Sequence, residues 1–107
     1  MRGWMAALLI FLLLLAAFSC PRPEYSTGEQ VYEGECAKCH KLRGKGGTKG
    51  PDLTDVFPKK DESYIRNYTL DPRSLKGDGI MPPSELTDRE LDLVVHYIKE
   101  KGHSQRR

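Results

Sequence analysis

The sequence predicts an all-α domain with long loops, on three observations. Three segments carry helical apolar spacing with capping residues at their starts. No stretch alternates β-branched residues as a strand would. The apolar residues are also unevenly spread: they fill 16 of the first 19 positions but only 25 of the remaining 88. Leu, Ile, Val and Phe together occupy 15 of those 88, a fraction at which a chain rarely builds a core by itself. Over the same stretch 16 basic residues face 15 acidic ones, so the high net charge of a disordered chain is missing. Either this stretch does not fold alone, or something outside the polypeptide supplies apolar surface. A length of 107 residues allows one domain and excludes a two-domain enzyme, a doubly wound nucleotide-binding fold or a β/α barrel.

Residues 1–19 read as a signal peptide. Arg2 gives a positive start, and Trp4 to Phe18 is an uncharged apolar run of fifteen residues, short of the roughly 20 that span a bilayer. An uncleaved N-terminal membrane anchor is the competing reading. Ala17 and Ser19 are the small residues that a signal peptidase recognises, and Cys20 follows them. The run Leu15-Ala16-Ala17-Phe18-Ser19-Cys20 resembles the lipobox of bacterial lipoproteins, differing at Ala17, where that family commonly has Leu. The resemblance implies lipidation at Cys20, which would also account for an odd cysteine outside the cytoplasm. Residues 20–27, with Pro21-Arg22-Pro23-Glu24, then form a short stiff tether. The domain proper is expected over residues 28–102, with 103–107 a flexible tail.

The first helix is expected from about Gly28 to His40, capped by Thr27 with Gln30 or by Ser26 with Glu29. Gly28, Tyr32 and Cys36 recur every fourth residue and share one face. The second runs from Asp61, a natural N-cap, to Leu70, with Tyr64, Ile65 and Tyr68 apolar and Asp71-Pro72 ending it. The third runs from Thr87 to about Lys101. Thr87 and Glu90 form a capping box; Leu91, Val94, Val95 and Ile98 form the stripe; Gly102 is the expected stop. The stretches between are read as loops, including the Gly- and Lys-rich segment from Lys41 to Gly50.

Cys36-Ala37-Lys38-Cys39-His40 is C-x-x-C-H, the attachment signature of a c-type haem. Two thiols three positions apart at a helix end can reach the two vinyl groups on one edge of the porphyrin, and the next residue, His40, sits where it can ligate iron. Other readings of the pair remain. A thioredoxin-type redox site would need a βαβ setting, which is absent. Structural zinc would need a second ligand pair, and Cys20, His96 and His103 do not form one. A plain Cys36–Cys39 disulfide is the usual state of cysteines in an exported protein.

From about residue 25 to 101 the chain resembles the small class I cytochromes c. The residues that carry the likeness are Gly28 and Tyr32 before the motif, Cys36, Cys39 and His40 within it, Gly50-Pro51-Asp52-Leu53 after it, Met81-Pro82-Pro83 on the last loop, and Val94 with Tyr97 on the final helix. The resemblance implies a cytochrome c fold, with three to four short helices and long loops around one covalently bound haem. It implies that the Pro51 carbonyl accepts a hydrogen bond from His40, and that His40 and Met81 are the axial ligands of the iron. Met81 is the only methionine after the leader, and its prolines stiffen the backbone that presents it.

His/Met ligation leaves no open iron position for a substrate, so the expectation is a one-electron carrier and not an enzyme. A haem-based sensor or peroxidase-like domain, or a cytochrome subunit of a larger membrane redox complex, are the alternatives. The expected partners are redox proteins, acidic ones if the cluster Lys38, Lys41, Arg43, Lys45, Lys49, Lys59 and Lys60 surrounds the haem edge. No nucleic acid and no small-molecule substrate are expected, and residues 44–49 lack phosphate-loop spacing. The expected location is the periplasmic side of a bacterial membrane. Without haem, residues 20–107 are expected to be largely unfolded or molten.

Overall fold

The structure is a computed structural model that describes residues 2–16 and 20–103. The expected cleavage residues Ala17 to Ser19 and the tail from 104 onward lie outside the described residues. Helix α1 (Arg2–Ala16) is the apolar leader, and none of its residues is buried. No helix among the described residues is long and apolar enough to cross a membrane.

The domain begins with α2 (Gly28–Val31). Thr27 caps it: its side chain accepts from the Gln30 N–H at 3.2 Å, and Gln30 reaches back to the Ser26 N–H at 2.9 Å. The expected single helix to His40 does not form. The backbone widens into a π-helical segment, Tyr32–Cys36, closed by the Ala37 N–H on the Tyr32 carbonyl at 2.9 Å. It then turns, because the next carbonyls are taken by loop amides: Gly47 N–H bonds Ala37 O at 2.8 Å and Gly50 N–H bonds Cys39 O at 2.7 Å. Single π turns of this kind concentrate at functional sites.

The segment read as a plain loop contains a hairpin of two-residue strands, β1 (Lys41–Leu42) and β2 (Lys45–Gly46), antiparallel with Lys41 opposite Gly46. Strands so short leave no alternation to read. Their turn places Arg43 at φ 54° and Gly44 at φ 83°, the left-handed pair that tight hairpins require. Three more helices follow: α3 (Val56–Lys59), α4 (Glu62–Leu70) and α5 (Pro72–Leu75). Asp61 caps α4 by accepting from the Tyr64 N–H at 2.7 Å. Pro72 opens α5 at a position where its missing N–H costs nothing.

Helix α6 (Asp88–His103) closes the domain. Its capping box is complete: Glu90 N–H donates to the Thr87 hydroxyl at 3.2 Å, and Thr87 N–H donates to the Glu90 carboxylate at 2.9 Å. Gly102 does not stop the helix. It lies inside α6, where a Cβ would stand 2.3 Å from the Thr54 carbonyl oxygen, so its smallness serves a close approach to the loop before α3.

Leu91, Val94, Val95 and Ile98 of α6 bury against Val31, Tyr32, Leu42 and Leu86. At about 1.5–3 kcal/mol for each large apolar side chain, these eight residues make a modest core. The crossing of α2 and α6 is tight: a Cβ on Gly28 would lie 2.2 Å from Leu93 O and 2.7 Å from Tyr97 Cβ. The Tyr32 and Tyr97 rings meet beside it with centroids 5.7 Å apart.

Candidate functional site

The site is built on the turn that follows the π segment. Cys36 and Cys39 are both half-buried free thiols. Burial, with Glu35 beside it, pushes the Cys36 thiol up to about 12, so it stays protonated at neutral pH. His40 follows, with 9% of its surface exposed. Its Nδ1 lies 2.8 Å from the Pro51 carbonyl oxygen, which can only accept, so this nitrogen carries the proton. Nε2 is left as the bare lone pair, with no protein hydrogen-bond partner among the described residues.

Three glycines hold this turn from behind. A Cβ on Gly50 would fall 2.4 Å from His40 Cε1 and 2.6 Å from its Nδ1. A Cβ on Gly47 would fall 2.0 Å from the Lys38 carbonyl oxygen, and one on Gly46, which also sits at φ 123°, would fall 2.1 Å from the His40 carbonyl oxygen. The Tyr32 hydroxyl adds a bond to that same carbonyl at 3.1 Å, and its burial pushes the phenol up to about 12, keeping it a donor. The hairpin is in turn fixed to the next loop. Leu53 N–H bonds Lys41 O at 2.8 Å, Arg43 N–H bonds the Thr54 hydroxyl at 2.8 Å, and Thr54 donates twice to Asp52. Those last two bonds hold the Asp52 carboxyl below its usual range.

Cys36, Cys39, His40 and Pro51 are thus gathered at one place. Met81 comes from a separate stretch between α5 and α6, where it is half-buried beside the almost fully exposed Ile80. Ser84 N–H bonded to Thr69 O at 3.0 Å ties that stretch to α4. His96 is exposed and paired with Glu100 at 3.2 Å, one turn along the outer face of α6. Two free thiols and an imidazole with a fixed tautomer and an unpaired Nε2, locked by backbone on its other side, are a donor set that fits a covalently held haem iron.

The chain matches the profile of the family described as Cytochrome c over residues 25–101. The chain belongs to the cytochrome c family. It is 33% identical over 78 residues to a protein named cytochrome c-551 from Bacillus subtilis, a match covering 71% of this chain and 62% of that relative's length. It is 29% identical over 86 residues to a cytochrome c6 from Diacronema lutheri, covering 74% of this chain and 98% of the relative. A cytochrome c from Sesamum indicum is 22% identical over 102 residues, covering 75% of this chain and 92% of the relative. No solved structure matches with significance. The mostly helical architecture is that of the cytochrome c fold, and the cofactor of this cytochrome is a covalent c-type haem with its iron. Membership of the family supports a haem-based electron carrier.

The glycine cradle was not legible as such. Its signal in the sequence was four glycines within the ten residues after the haem motif, a density that a loop alone does not need. The burial of Glu90, 2% exposed, and its pairing with Arg22 had no signal beyond the capping-box spacing.

Proposed function

We propose that this cytochrome carries single electrons on a haem attached at Cys36 and Cys39, with His40 and Met81 as the axial ligands. The observation that carries the reading is the His40 ring, its Nδ1 bonded to Pro51 O at 2.8 Å and its Nε2 unpaired. When bound, the haem supplies an iron that takes up and returns one electron. The chain's residues do the rest. His40 presents Nε2, and the Pro51 carbonyl strengthens the imidazole as a donor by drawing on the Nδ1 proton. Met81 supplies a weak thioether, which raises the reduction potential relative to more basic ligands. With His40 and Met81 both holding it, the iron would have no place for a substrate, which suits a carrier and not an enzyme.

The exposed residues Lys38, Arg43, Lys45, Lys49, Lys59 and Lys60, with half-buried Lys41, form the basic side that would steer acidic redox partners and weaken with salt. The leader, and lipidation at Cys20, would hold the domain on the outer side of a bacterial membrane; the exposed position of Cys20 is compatible with this. The test is the absorption spectrum of the purified protein and of Met81→Ala. The wild type should show extraction-resistant haem, low-spin in both oxidation states. The variant should turn high-spin or bind added ligands, with a lower potential. A colourless protein ends the reading, and an unchanged ferric spectrum in Met81→Ala places another residue on the iron. Mass spectrometry of the N-terminus decides lipidation: an unmodified Cys20 removes it.

A further inference from the structure

The segment that leads from Cys20 into the domain is fastened along its length. The Arg22 guanidinium pairs with the buried Glu90 carboxylate of α6. The same carboxylate accepts from the Tyr25 N–H at 3.3 Å, and Arg89 donates to the Tyr25 carbonyl at 3.2 Å. The Tyr25 hydroxyl donates to Glu35 at 2.8 Å, with its ring set where a side chain on Gly34 would be. Arg22 to Tyr25 is therefore bonded to both terminal helical segments, and Pro21 and Pro23 stiffen what lies around it.

We propose that Arg22 to Tyr25 is a strap that fixes one pole of the domain, the N-terminal end of α6, against the lipid surface. This rests on the reading that the chain is held in a membrane at or before Cys20. Only Pro21 separates Cys20 from the fastened Arg22, and two residues span at most about 7 Å. The start of α6 thus has no slack to leave the bilayer. The far pole is the C-terminal end of α6, where Gly102 meets Thr54 and Lys99 stands over Phe57; sixteen helical residues put it about 24 Å from the start. Glu24, Glu35, Glu85 and Asp88 lie exposed around the strapped end, where the bases Arg22 and Arg89 are tied to the strap's own bonds. An anionic lipid surface repels these four acids, so the strap, and not charge attraction, keeps that pole down. The far end is left to meet a partner.

The strap has a protease reading, because Glu24–Tyr25 is a site for a glutamyl endopeptidase and lies within it. The haem-loaded full chain is digested in membranes of the expressing host, and cleavage after Glu24 is followed by mass spectrometry. The wild type should be cut there slowly. Arg22→Ala should raise the rate at that bond roughly tenfold, as expected for losing one charged hydrogen bond, with the haem spectrum unchanged. Arg22→Lys should restore most of the protection. Equal rates in wild type and Arg22→Ala overturn the strap. Protein found in the soluble fraction before digestion overturns the membrane half, while the cleavage rates still report on the strap. If Arg22→Ala loses its haem spectrum, amide exchange in the wild type decides: fast exchange at Tyr25 N–H overturns the strap, and protection supports it.

Discussion

Replacing Gly50 by alanine would set a methyl group 2.4 Å from His40 Cε1, 2.6 Å from Nδ1 and 2.9 Å from Nε2. Ordinary carbon contacts begin near 3.5 Å, so ring and backbone must separate by about 1 Å. Pro51 is the next residue, and its carbonyl lies only 2.8 Å from His40 Nδ1. A separation of that size takes the pair out of hydrogen-bonding range. The loss of the bond is worth about 1 kcal/mol and the overpacking about 1–3 kcal/mol, so Gly50→Ala should destabilise the domain by about 2–4 kcal/mol. Urea unfolding of the haem-loaded protein measures this. At a slope of about 2 kcal/mol per molar, the midpoint should fall by about 1–2 M. The reduction potential should rise as well, because an imidazole without its Pro51 partner is a weaker donor to the ferric state. Gly77→Ala is the matched control, since nothing lies within 4 Å of its added Cβ. It should leave the midpoint unchanged or slightly raised. If Gly50→Ala and Gly77→Ala unfold together at the same potential, the glycine does not brace the histidine.

Gly28→Ala pushes a methyl into Leu93 O at 2.2 Å and should cost about 3 kcal/mol by prising α2 from α6, read as a lower unfolding midpoint with little change in the haem bands. Gly102→Ala meets the Thr54 carbonyl at 2.3 Å and should also destabilise, against the gain expected at an unobstructed helical position; thermal unfolding distinguishes the two. The bonds from Thr87 N–H, Arg22 and Tyr25 N–H hold the Glu90 carboxyl down from 4.5 to about 2. Its contribution to stability is therefore complete above about pH 4.5 and lost as pH falls toward 2. Urea midpoints measured from pH 2 to 6 should fall less steeply in Glu90→Gln than in the wild type. A Cys36→Ser, Cys39→Ser double variant, unable to hold haem covalently, should lose cooperative unfolding and most near-ultraviolet dichroism, because eight buried apolar residues make too small a core.

The fold was legible where spacing and caps act locally. Asp61 and the Thr87/Glu90 box start α4 and α6 where their patterns place them, and the α6 stripe is the buried one. The haem motif was legible because its chemistry fixes residue types at fixed separations. What escaped was set by contacts across the chain. The turn that ends the helical run after Cys36 follows from loop amides at Gly47 and Gly50, which take the Ala37 and Cys39 carbonyls. Gly102 looked like a helix stop because its partner, Thr54, is distant in sequence. Arg22 looked like part of a spacer because nothing local to it shows a carboxylate arriving from α6.

The bond between Tyr25 N–H and Glu90 joins residues 65 positions apart, and the crossing of Gly28 with Leu93 and Tyr97 closes a loop of similar size. The two ends of the domain are therefore the last parts to find each other, since a chain made from its N-terminus has no α6 to offer until it is nearly complete. Cys36, Cys39 and His40 come early in that order. They remain in an open, reachable chain for most of its emergence, and the helix pair that covers the turn shuts only afterwards. The order of assembly keeps Cys36 and Cys39 reachable for covalent attachment before the two ends close.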